Sequence, residues 1–352
     1  MINTYRPDPE LRSLEREMLR AYRALAPLLA CSPVNAAEEH HRLTEAWKRG
    51  AHAKPAWQYA PPNVANGRRA LVRAERAALS LGTHPLRACY EARLAELSTE
   101  FTLVEHAGTP ELAPIAARRF PITTGLEATA LRWASLPSAS DAGESDGSIA
   151  AQVRQLIGRL RLPFRVEETT RISALAATGE DVIYVASHRL VSKHVAKRTA
   201  VHEVYGHALP RTLAARQALA IFRFGTAQGH DDQEGYALAC EEEHGLFDDD
   251  RKREIAMRWL VARDMQQGAS FVSVMKSLVA RAIPVERALR LSSRVFRGSG
   301  GESPGAGRES SYLEGYRRVV RTAPTLRRVI ARGQVACAWA SALAPFVNYI
   351  DS

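Results

Sequence analysis

The run AVHEVYGHAL, residues 200–209, places His202, Glu203 and His207 within a few positions of one another. Two histidines around a glutamate are the donor set of a zinc hydrolase, in which the imidazoles hold the ion and the carboxylate takes a proton from water. The usual His-Glu-x-x-His form sets the histidines four apart on one helical face. Here they are five apart. At about 100° per residue a regular α-helix would aim them roughly 140° away from each other, too far to share an ion. A single π-type turn, bonded from i to i+5, would absorb the extra residue and bring His207 back beside His202. Gly206, just before His207, makes such a distortion easier. The same letters also arise where histidines merely stabilise a helix C-terminus, so further donors are required.

A catalytic zinc takes three protein ligands and keeps one position for water. The segment HDDQEGYALACEEEHG, residues 230–245, offers Glu234 as the strongest third donor. Asp231 or Asp232 would cap a new helix there and put Glu234 in its first turn. His230, Asp232, Glu241 and His244 are rival ligands that spacing alone does not separate.

The elements that must carry these residues read as mainly helical with a small sheet. Asp8-Pro9 followed by Leu11, Leu14, Met18, Tyr22 and Leu25 has a cap, a first-turn proline and an apolar stripe at helical spacing. Helical pattern also dominates from Arg68 to Leu97. The β-branched and aromatic run EDVIYVAS, residues 180–187, is the clearest strand, expected as an edge strand beside the metal helix. That helix is expected from Ser192 to Leu209, with Val195, Ala200, Val201, Val204 and Ala208 inward and Pro210 at its end. Turn-forming composition marks 137–149 and 298–309 as surface loops or flexible boundaries. A helical N-terminal region, 1–136, and a catalytic region, 150–352, then form one compact unit around the 137–149 loop.

Composition narrows the alternatives. With 46% hydrophobic and 24% charged residues in a chain of 352, a large core is affordable to a globular protein. The net charge of +10 comes from arginines dispersed along amphipathic segments, with no recognisable nucleic-acid module, so a solvated basic surface is expected and nucleic acid is not a partner. The first twenty residues are too charged for a signal peptide, and no apolar run reaches the ~18 residues of a membrane span. VACAWASALAPFVNYI, near the C-terminus, is short and broken by Pro345. A cytoplasmic protein without a membrane partner is the expectation. Four cysteines lack any C-x-x-C pairing, which argues against a disulfide framework or a cysteine metal site.

HEVYGH, then QEGYAL, then RVFRG and SSYLEGYRRVV, in that order and at that spacing, resemble the microtubule-associated tyrosine carboxypeptidase family and its bacterial relatives, named for flavohemoglobin expression modulation and a Gln-Glu-Gly-Leu motif. SPVNAAEEH and PAWQYAP resemble the family's Pro-x-Asn and Pro-x-x-Tyr-x-Pro segments, extending the likeness over most of the chain. The resemblance implies a zincin-like zinc metallopeptidase that removes a C-terminal tyrosine or phenylalanine from a protein or peptide. It implies His202, His207 and Glu234 as ligands and Glu203 as base. Two departures are Val204-Tyr205-Gly206, where Ile-Gly-Thr is usual, and Tyr236, where leucine is usual. TldD-like metalloproteases share the local helix motif but not the downstream segments. A non-catalytic regulator on the same fold is the alternative from another class. An exopeptidase must also bind a free carboxylate, for which Arg297 is the candidate, Arg294 the alternative, and Tyr312 a donor to the oxyanion.

Overall fold

The computed structural model describes residues 5–25, 30–137, 147–170, 172, 174–187 and 189–349. Of the loop expected over 137–149, residues 138–146 lie outside the described residues. Helix α1 (Pro9–Ala24) starts as its sequence requires: Pro9 sits in the first turn and Asp8 Oδ1 accepts from the Leu11 amide at 2.7 Å. Its Leu11, Leu14, Met18 and Ala21 are buried. The chain continues through α2 (Ala36–Lys48), α3 (Ala65–Ala78), α4 (Arg87–Glu105), α5 (Leu112–Arg119) and α6 (Glu127–Ala134). The helical pattern expected over 68–97 is thus two helices, parted by a short 3₁₀ turn at Leu79–Leu81 and the positive-φ residue Gly82.

Helix α7 (Ile149–Leu160) leads into the sheet of β1 (Arg165–Thr169), β2 (Ala176–Thr178) and β3 (Val182–Ala186). The order is β1-β3-β2, with β1 parallel and β2 antiparallel to β3. The strand expected at the edge is therefore the central one. Val182 and Ala186 on one face and Ile183 and Val185 on the other are all buried, which is why they form an almost continuous apolar run rather than an alternating one. The edge strand near the metal-motif helix is β2.

That helix, α8 (Lys193–Glu203), begins where Ser192 Oγ accepts from the Val195 amide. Among the residues expected inward, Ala200, Val201, Val204 and Ala208 are buried and Val195 is half-buried. The helix does not end at Leu209. A π-helical segment, Val204–Ala208, joins it to α9 (Leu209–Ala214). Pro210 falls in the first turn of α9, where a missing amide hydrogen costs little, so it extends the rod instead of stopping it.

After α10 (Ile221–Phe224) come α11 (Gly229–Glu243), α12 (Asp249–Gln266), α13 (Phe271–Ala280), α14 (Val285–Val295), α15 (Ser311–Arg321), α16 (Pro324–Ile330) and α17 (Cys337–Leu343). One core packs α1, α3 and α4 against α10, α16 and α17 through Leu14, Tyr90, Phe101, Phe222, Ile330 and Leu343. A second brings Leu43, Trp47 and Trp57 onto α12–α15. A third seats α7 and α8 on the sheet. Among the described residues no helix is long and apolar enough to cross a membrane.

Segment 298–309 is not the surface loop that its composition suggests. Gly298, Ser299, Gly301, Gly305, Ala306 and Gly307 are buried. The Ala306 amide donates to Arg297 O at 2.8 Å and the Gly307 amide to Val295 O at 3.0 Å, while Tyr59 Oη donates to Ser299 O at 2.8 Å. Backbone groups that would otherwise need water are satisfied by protein, so the loop can sit inside.

Candidate metal centre

The π segment does what the five-residue spacing demands. His202 Nε2 and His207 Nε2 lie 3.4 Å apart, with both side chains nearly buried. Gly206 serves this turn by close approach rather than by unusual dihedrals: a Cβ there would lie 2.2 Å from the Ala237 Cβ of α11. Helix α11 is held against α15 in the same way, since a Cβ on Gly235 would meet the Gly315 backbone at 2.0 Å. These two contacts bring α11 to the histidines and deliver Glu234.

Glu234 Oε2 stands 3.5 Å from His202 Nε2 and 3.8 Å from His207 Nε2. This buried oxygen has no hydrogen-bond partner. Tetrahedral zinc with bonds of about 2.0–2.1 Å sets its ligand atoms about 3.3 Å apart. The 3.4, 3.5 and 3.8 Å separations thus suit one small cation among the three side chains. Burial opposes charge on His202, but the facing carboxylates of Glu234 and Glu241 outweigh it and raise the imidazole to about 9. His207 is lowered by burial. Burial pushes Glu234 up, and His202, His207 and Arg308 together hold it well below the carboxylate range.

The rival donors are otherwise engaged. His230 is stacked on Tyr22, with ring centroids 5.6 Å apart, and burial depresses its pKa strongly. Asp232 accepts from Arg318 at 2.6 Å and from the Cys337 amide at 2.7 Å. His244 Nδ1 is 2.8 Å from Cys240 O. Glu241 binds the far side of His202, Oε1 to Nδ1 at 2.7 Å. Neither Asp231 nor Asp232 caps α11. Gln228 occupies the cap in a left-handed conformation, Asp231 pairs with Arg119 at 2.6 Å, and Glu234 falls in the second turn.

Glu203 lies beside the cluster at the C-terminal end of α8, and its Oε2 accepts from Thr178 Oγ1 of β2 at 2.7 Å. Arg308 Nη2 donates to Glu234 Oε1 at 3.0 Å. Farther along the same wall, Glu309 is shared by Arg294 at 3.1 Å and Arg258 at 3.5 Å. Arg294 is thereby committed to an internal partner. Arg297 is half-buried, and its guanidinium has no hydrogen bond or ion pair among the described residues. Burial pushes its guanidinium below its ordinary value, Glu309 opposes, and Arg294 and Arg308 add to the shift. Tyr312 is buried under the Arg258 guanidinium, 4.7 Å from its ring centroid; burial and the nearby Glu234 and Glu309 raise its hydroxyl, keeping it a donor.

Thr178 and Arg308 escaped the sequence reading. Thr178 belongs to a three-residue strand without periodicity, and Arg308 to a glycine-rich run that looks unstructured. No curated protein matches the chain. A family model described as microtubule-associated tyrosine carboxypeptidase matches residues 45–338, spanning the π turn, α11, the buried loop and α15, and the chain belongs to that family.

Proposed function

We propose that this protein is a zincin-like zinc metallopeptidase, a carboxypeptidase that removes a C-terminal tyrosine or phenylalanine from a protein or peptide tail. The observation that carries the proposal is the cluster of His202, His207 and Glu234, with an orphaned carboxylate oxygen and tetrahedral spacing. Family membership supports the same chemistry. Zinc bound there would supply Lewis acidity to the scissile carbonyl and lower the pKa of a water toward ~7.

The chain's own groups provide the rest. Glu203, oriented by Thr178, accepts the proton of the attacking water and passes it to the departing amine. Tyr312 donates to the developing oxyanion. Arg297, in a wall with more guanidinium than carboxylate charge, takes the substrate's terminal carboxylate. Strand β2 lies at the sheet edge beside Glu203 and suits an extended substrate backbone.

Elemental analysis of purified variants, beside turnover of a tyrosine-ended peptide, tests the assignment. Glu203→Gln retains near-stoichiometric zinc and loses ~10²–10⁴-fold in turnover, the scale of a general base. Glu234→Gln, His202→Ala and His207→Ala lose zinc and activity together. Full zinc occupancy in Glu234→Gln would remove it from the ligand set. A wild-type protein that takes up no zinc would favour a non-catalytic regulator instead.

A further inference from the structure

Glu241 is a fully buried carboxylate with no place in the reaction above. It lies seven residues after Glu234 on α11, so the two carboxylates share one helix face about two turns apart. Between them stands His202: Glu234 faces its Nε2 at 3.5 Å and Glu241 Oε1 faces its Nδ1 at 2.7 Å. The rest of Glu241 is taken by Arg251, whose Nε donates to Oε2 at 2.9 Å and Nη2 to Oε1 at 2.8 Å. Arg251 is fixed in turn by Glu254 at 3.0 Å and by Asp248, which caps its backbone amide at 2.8 Å.

A carboxylate clamped in this way can only accept. If the proton of neutral His202 sat on Nε2, a lone pair on Nδ1 would confront a carboxylate oxygen at 2.7 Å, a repulsive contact in a buried place. With the proton on Nδ1 the contact is a charge-assisted hydrogen bond, and the lone pair is on Nε2, where His207 and Glu234 converge. We propose that Glu241, clamped by Arg251, is a positioning residue that fixes His202 as its Nδ1-protonated tautomer and aims Nε2 at the metal site. This role rests on the zinc assignment. An outer carboxylate of this kind also raises the basicity of the imidazole it holds, and its loss ordinarily costs 10–100-fold in metal affinity.

Zinc titration against a competing chelator tests it in the full chain. Glu241→Gln is expected to keep its secondary structure in the metal-free state and to bind one zinc about 10- to 100-fold more weakly than wild type. A folded Glu241→Gln protein with wild-type affinity overturns the positioning role while leaving the metallopeptidase assignment standing. Absence of zinc uptake by the wild type removes both. Nitrogen-15 spectra of the zinc-loaded wild type give a second test that needs no variant to fold. The His202 ring is expected to carry its proton on Nδ1, and a proton on Nε2 or coordination through Nδ1 overturns the proposal.

Discussion

Arg297 carries a positive charge into a wall where Glu309 is already divided between Arg258 and Arg294, and where Arg308 is held by Glu234. Such a site holds more guanidinium than carboxylate charge, and a peptide's terminal carboxylate is an anion of the right shape for a guanidinium. Arg297→Ala is expected to lower kcat/KM on a free-acid peptide by roughly 10- to 100-fold, the scale of a hydrogen bond to a charged group, and to leave hydrolysis of the C-terminal amide nearly unchanged. Equal losses on both substrates would mean that Arg297 only holds the wall together. The pairing of His202 with His207 was legible because their spacing is itself the clue, whereas Glu234 was one of several donors until the resemblance singled it out. Arg308, Thr178 and the engagement of Glu241 were not, since each depends on which distant segment lies alongside.

Among the elements, the π turn and the crossing of α11 with α15 decide whether these donors meet. Gly206→Ala would force a methyl against Ala237, 2.2 Å from where its Cβ must go. Separating the two helices is expected to cost about 1–3 kcal/mol of stability, the usual penalty of overpacking, and to weaken zinc binding with it. Urea unfolding of the metal-free protein and a zinc titration measure the two effects. Unchanged zinc affinity would show that the close approach does not position Glu234. The π turn itself followed from the sequence, since a five-residue interval leaves a regular helix no means of pairing the histidines. The place of β3 in the sheet did not, because a short apolar run specifies burial and leaves strand order open. Pro210 misled for a related reason: a proline signals a helix end only when its amide is needed, and after the π segment it is not.

At the scale of the whole molecule, a buried charge network ties the helices of the first half of the sequence to the helix that carries Glu234. Arg119 of α5 bridges Glu100 of α4 at 2.9 Å and Asp231 of α11 at 2.6 Å, and Arg93 reaches Glu100 at 3.2 Å. Burial alone would raise Glu100; Arg93 and Arg119 outweigh it and hold the carboxyl down from 4.5 to about 2. A depressed folded-state pKa stabilises above the ordinary value and is lost as protons are added, so its contribution is full above about pH 4.5 and fades toward pH 2. Over that window wild type is expected to lose unfolding free energy more steeply than Glu100→Gln, as read from urea midpoints; parallel pH profiles would remove Glu100 from the acid response. Asp231 stands three residues before Glu234, so the same network reaches one turn from the candidate metal site. A fragment lacking α4 and α5 would leave that aspartate in the interior without its counter-charge, an arrangement that costs several kcal/mol when a buried pair is broken. Calorimetry of the intact chain should therefore give a single transition, because a catalytic half freed of its first helices would inherit an electrical debt at the very helix on which it depends.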